Sequence, residues 1–112
     1  MGKASREKGK RGEREAAALL RELGYPEAHR TAQHCGQSGD AADVIGVDGL
    51  HLEIKRCEQI RVDEWQDQVE RDSQGTGRIP VIMFRKSRRP FWVLTPAEDF
   101  FRMYREVTRN DH

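Results

Sequence analysis

Disulfides, membrane spans and bulk charge are all scarce in this sequence, and each scarcity excludes something. There are only two cysteines, Cys35 and Cys57, in 112 residues. Two cysteines cannot make a disulfide framework, so both read as free thiols. His34-Cys35 has no second close pair at finger-like spacing, which argues against zinc. No apolar run approaches the roughly 20 residues needed to cross a bilayer, and the polar, basic start has no signal-peptide pattern. The expectation is a cytoplasmic protein. Net charge is only +1, so the total does not announce a polyanion partner. Hydrophobic residues make up 36% against 35% charged, which implies a small core under a charged surface. The apolar residues fall in ordered patterns, so disorder is not expected.

The distribution of charge is more informative than its sum. Lys3, Arg6, Lys8, Lys10, Arg11 and Arg14 crowd the first fourteen residues against only Glu7 and Glu13. Arg85, Lys86, Arg88 and Arg89 form a second cluster between two apolar runs. Local basic patches bind phosphates even when acids elsewhere cancel the total. Lys8, Lys10, Arg11, Arg14, Arg30, Arg56, Arg85, Lys86, Arg88 and Arg89 are the candidate DNA contacts.

The length fits one domain. Residues 1–10 lack periodicity and are expected to be a flexible basic arm, ahead of a domain over 11–108. A helix is expected from Gly12 to Leu23, with Ala16, Leu19, Leu20 and Leu23 as its apolar stripe and Gly24 as its stop. Glu13 sits at the end of that stripe, an odd place for a carboxylate without a task. A short strand over 28–33 and a loop from His34 to Ala42 follow. Asp43 opens the short strand Val44–Val47, and Asp48-Gly49 signals a type I′ hairpin into a strand from Leu50 to Cys57. A second helix is expected over Asp63–Ser73, with Asp63 and Gln66 resembling a capping box. Strands Pro80–Phe84 and Phe91–Leu94 come next. Thr95-Pro96-Ala97-Glu98 then reads as N-cap, proline at N1 and glutamate at N3 of a last helix bearing Ala97, Phe100, Phe101, Tyr104 and Val107. Trp65, Phe84, Phe91, Trp92, Phe100 and Phe101 are expected in the core. The order implies an α/β domain with a central mixed sheet flanked by helices.

One constellation carries chemistry. In Leu50-His51-Leu52-Glu53-Ile54-Lys55 the side chains alternate, so Glu53 and Lys55 share a face with His51, itself read as a packing or surface residue. A hairpin centred on Asp48-Gly49 pairs residues whose numbers sum to about 97. Val44 would face Glu53, and a bulge or bend would be needed to turn Asp43 toward Glu53. Mg²⁺ prefers oxygen ligands and a few carboxylates. Asp43 and Glu53 can supply those, with the Ile54 carbonyl as a third ligand. Lys55 can position an attacking water, lower its pKa or stabilise a pentavalent transition state. That is the equipment of phosphodiester hydrolysis, with Mn²⁺ able to replace Mg²⁺.

Asp43 followed by Glu53-Ile54-Lys55 after a hairpin resembles the core of the PD-(D/E)xK nuclease superfamily, with its restriction-endonuclease-like fold. Gly12-Glu13-Arg14-Glu15 resembles the first-helix segment of archaeal-type Holliday junction resolvases and small phage nucleases. Trp65-Gln66-Asp67-Gln68 with Pro80-Val81-Ile82 is similar to the small phage-type nucleases. The resemblance implies a site of Glu13, Asp43, Glu53, Lys55 and Gln68, with Glu13 reaching the metal and Gln68 facing the site. It also implies Mg²⁺ dependence, DNA cleavage in recombination or repair, often as a homodimer, and a serine near the site that Ser38 matches. The residue before Asp43 is Ala42 rather than proline, and the loop Gln33–Ala42 is long and holds a second acid, Asp40, which remains an alternative to Asp43. Three functions stay open: a structure-selective endonuclease acting on branched DNA, a nicking, flap or restriction-like nuclease of the same superfamily, and a non-catalytic DNA-binding module.

Overall fold

A computed structural model describes residues 3–31 and 41–110. Ser38, Asp40, His34 and Cys35 lie outside the described residues. Among the described residues eight elements follow in order: α1 (Lys3–Glu22), β1 (His29–Arg30), β2 (Val44–Ile45), β3 (Leu50–Arg56), α2 (Val62–Ser73), β4 (Ile79–Arg85), β5 (Trp92–Leu94) and α3 (Ala97–Asn110). The strands form one mixed sheet in the order β1-β2-β3-β4-β5, in which only β3 and β4 run parallel. A parallel neighbour needs a crossover, and α2 supplies it.

The sheet is covered on both faces along β3, and that decides where the polar residues go. Against one face, Ala16, Ala17 and Leu20 of α1 pack with Val44, Val47, Leu52, Ile54, Val81 and Met83. Against the other, Trp65 and Val69 of α2 pack with Ile82, joined by Phe84 and Leu94. The odd residues of β3 therefore point beneath α2 rather than into water.

Several local expectations give way. α1 starts at Lys3, so residues 3–10 are helical instead of forming an unstructured arm. Lys, Arg, Glu and Ala are good helix formers, and the segment extends an existing helix without needing an apolar stripe of its own. Leu23, expected on the buried stripe, is 64% exposed because the helix has ended at Glu22. The N-cap of α2 is Arg61 and makes no side-chain cap bond, so the Asp63 capping box does not form. The Thr95 hydroxyl donates to the Pro80 carbonyl at 2.8 Å, tying the chain to β4 instead of capping α3. Trp92, Phe100 and Phe101 are not core residues: Trp92 is 68% and Phe101 64% exposed, and Phe100 is exposed as well.

The hairpin differs in a way that matters. Gly49 takes φ 86° while Asp48 stays at negative φ, and Leu50 N–H donates to the Val47 carbonyl at 3.2 Å. One positive φ, at the third turn residue, belongs to a type II turn rather than type I′. The register is Val44 opposite Leu52, one step from that expected, although the Val47–Leu50 turn bond keeps the expected pairing, so one extra residue is taken up between Val44 and Val47. Asp43 N–H donates to the carbonyl of Leu52, the residue that Val44 already faces, and the chain bends at Asp43, so a local distortion of the kind expected turns its carboxyl toward Glu53.

Gly46, also at positive φ (99°), lies where a Cβ would collide with the Glu27 carbonyl and the Ala28 backbone. A Cβ on Gly49 would meet open space. Gly46→Ala is therefore expected to lower stability by about 2 kcal/mol or more, against about 1 kcal/mol for Gly49→Ala. Urea midpoints of the two variants check this; equal losses would mean that close approach at Gly46 is unimportant.

Candidate active site

The site is assembled where α1, the β2 entrance, β3 and α2 meet. Asp43 is held by its own backbone and by β3. Its N–H donates to the Leu52 carbonyl (2.8 Å), its carbonyl accepts from Thr31 N–H (3.0 Å), and its Oδ2 accepts from Ile54 N–H (2.8 Å). The Glu53 carboxyl lies beside that of Asp43 and its charge raises the Asp43 pKa. Glu53 is 2% exposed, and its Oε1 lies 3.0 Å from His51 Nε2. On the α2 side the Glu53 carboxyl also meets Asp72. Lys55 Nζ donates to Gln68 Oε1 at 2.7 Å, so the α2 glutamine fixes the ammonium beside the acids. Glu13 of α1 completes the rim, its Oε1 accepting from Arg30 Nε at 3.1 Å.

The electrostatics are those of carboxyls crowded in a dry place. Burial is the main cause that pushes Asp43 from its ordinary 3.8 to about 7, and the Glu53 charge adds to it. Glu53 rises from 4.5 to about 7, again chiefly through burial, with Asp72 raising it further and Lys55 opposing. Glu13 is also raised, by burial and then by the charge of Asp43. The Asp43–Glu53 pair titrates as a unit, so the two values belong to both together.

Sequence reasoning misses His51 and Asp72 as members of this neighbourhood. His51, Glu53 and Asp72 offer ligand atoms within 4.8 Å of one another, a grouping able to hold a cation. The signals are present: His51 is two before Glu53 on one strand face, and Asp72 is four after Gln68 on one helix face. His51 is fully buried beside a carboxylate, which excludes the surface half of the expected reading and agrees with the packing half.

The expected DNA contacts divide. Arg56 Nε donates to Glu15 Oε1 (3.1 Å), and Arg85 Nη1 lies 3.5 Å from the same oxygen and over the Phe91 ring. Arg30 is partly buried against Glu13. These three are braced against acids. Lys10, 4.0 Å from Glu7, Arg11 and Arg14 lie along α1, with Arg11 and Arg14 open to solvent. Lys86, Arg88 and Arg89 are exposed in the β4–β5 turn. A cleft of about 650 Å³ opens beside Lys55, walled by Lys8, Ile54, Arg56, Arg61 and Trp65 among others. No helix among the described residues is long and apolar enough to cross a membrane.

The fold resembles that of a solved structure, Hjc from Archaeoglobus fulgidus, a Holliday junction resolvase from an archaeal hyperthermophile. The TM-score is 0.58 at 22% identity, over 79% of this chain and 72% of that one. No curated protein matches the chain significantly. Residues 4–112 match the family model described as "Phage putative PDDEXK endonuclease". With its acids and lysine gathered at one end of β3, the chain belongs to this PDDEXK endonuclease family.

Proposed function

We propose that the protein is a Mg²⁺-dependent endodeoxyribonuclease that cuts branched DNA, a four-way junction in the first instance, and works as a homodimer. The observation that carries the reading is the pairing of Asp43 with Glu53 under the Lys55 ammonium. Two buried carboxyls that repel one another are stabilised by a hard cation, and the donors here are oxygens. Asp43, Glu53 and the Ile54 carbonyl would hold the ion, with Glu13 at its edge and Mn²⁺ able to substitute. Once bound, such an ion offsets charge on the phosphoryl oxygens and lowers the pKa of a water. Lys55 orients the attacking water and faces the charge that develops on the phosphate, and Gln68 holds that ammonium in place. Lys8, Lys10, Arg11 and Arg14 on α1, and Lys86, Arg88 and Arg89 beyond β4, grip the backbones. Arg30, Arg56 and Arg85 keep the acidic rim and sheet edge in position.

The likeness of the fold to a Holliday junction resolvase favours a branched substrate, because two sites in a two-fold dimer match two symmetric strands at a crossing. The test is incubation of purified protein with Mg²⁺ and a panel of four-way junction, flap, nicked and linear duplex DNAs. Paired symmetric nicks in the junction are expected, with linear duplex left intact. Cutting of linear duplex alone would replace this reading by a restriction-like one, and cutting of no DNA would remove the enzymatic reading.

A further inference from the structure

α3 is the most unusual surface of the molecule. It is a 14-residue helix that packs extensively against none of the other described elements. Phe100, Phe101, Met103, Tyr104 and Val107 lie within one arc of it, and all five are exposed. Phe100 stands edge-on to Phe101 and stacks on Tyr104, so the aromatics form a continuous plate. Taking roughly 150–250 Å² for a fully exposed aromatic, the five present on the order of 500 Å² of apolar surface per chain. A monomer's largest patch is about 300–600 Å² and is itself often a binding surface.

We infer that α3 is the face by which two copies of this chain associate, the helices packing antiparallel across a two-fold axis. The inference rests on the dimer proposed above and supplies its surface. Two considerations favour a second copy over another partner. The first is area: pairing the plate with itself removes about 1,000 Å², the lower bound for a specific interface. The second is charge. Asp99 and Glu106, seven residues apart on one flank of the apolar arc, are neutralised within the helix by Arg102 (3.6 Å) and Arg109 (3.5 Å). Glu98 and Arg105, seven apart on the other flank, have no ion-pair partner among the described residues. In an antiparallel pair like flanks face each other, so Glu98 of each copy meets Arg105 of the other. The surface is complementary to itself, as a two-fold interface requires.

Sedimentation velocity of the full chain from 1 to 100 µM, without DNA or metal, reads association directly. A dimer is expected, and Phe101→Glu with Tyr104→Glu should weaken it at least 100-fold. Glu98→Arg and Arg105→Glu should each weaken it several-fold, and the double exchange E98R/R105E should restore it. A parent chain that stays monomeric at 100 µM, or single exchanges that change nothing, or a double exchange that fails to restore, would overturn the inference. Far-ultraviolet circular dichroism distinguishes a lost interface from a lost fold. Because no DNA is present, a dimer that cuts nothing would leave this surface standing and defeat the enzymatic reading. A monomer that cuts junctions would do the reverse.

Discussion

Lys55→Ala is expected to reduce the rate of strand cleavage by at least 10²–10³-fold while DNA binding stays within a few-fold of the parent. Preorganised charge facing a developing anion is commonly worth that much. Lys55 has the required setting: its ammonium is fixed by Gln68 at 2.7 Å and lowers the carboxyl pKa values of both Asp43 and Glu53. The second effect means that removing the lysine also makes the two acids harder to ionise and the metal harder to hold. Cleavage is therefore read over a Mg²⁺ titration, so that a loss recovered at high Mg²⁺ is separated from one that is not. Binding to labelled junction DNA in Ca²⁺ gives the control, since Lys55 is one cation among many that reach the backbone. Lys55→Arg should not rescue, because a planar guanidinium cannot sit in the place Gln68 sets for an ammonium. A Lys55→Ala protein cutting within threefold of the parent at saturating Mg²⁺ would remove Lys55 from the chemistry.

That lysine is legible in the sequence because β3 alternates cleanly and a nuclease-like triplet on one strand face is a local pattern. So are the sheet, the helix order and the inner half of α1, where Ala16 and Leu20 repeat at helical spacing. What escapes is non-local or lacks an apolar signature. The strand register slips one step between the turn and Val44, where the chain takes up an extra residue that no turn signal marks, and the bend at Asp43 follows from it. Residues 3–10 carry no apolar stripe, so a reading based on periodicity passes over a helix. The burial of His51 and Glu53 depends on α2 lying across the polar face of β3, which alternation along a single strand does not reveal. Amphipathic α3 is legible as a helix, but its aromatics are not core, because periodicity identifies an apolar face and not what covers it.

The same crowding of acids fixes how stability responds to pH and metal. In the metal-free protein Asp43 and Glu53 have pKa values raised to about 7, above their ordinary values of 3.8 and 4.5. Between those limits the folded chain binds more protons than the unfolded one, so its stability falls as pH rises. The contribution is fully present below about pH 4 and is lost as pH climbs through 7. Glu13 is raised in the same direction. A tenfold difference in proton affinity corresponds to about 1.4 kcal/mol, which puts the loss across the coupled pair at a few kcal/mol. Urea denaturation in EDTA at pH 5, 6, 7 and 8 should show the midpoint dropping steadily, and Asp43→Asn should flatten the slope. On the proposed function Mg²⁺ would bind the ionised pair and so act where the protons have left. At 100 times its dissociation constant it should return about 2.7 kcal/mol at pH 8 and far less at pH 5, where protons compete for the same oxygens. In a domain of this size that gain moves the melting temperature by roughly 4–8 °C per kcal/mol. A metal-free protein whose stability is flat or rises from pH 5 to 8, with no gain from Mg²⁺ at the upper end, would mean that the two carboxyls do not confront each other in solution and that the cation has no site between them.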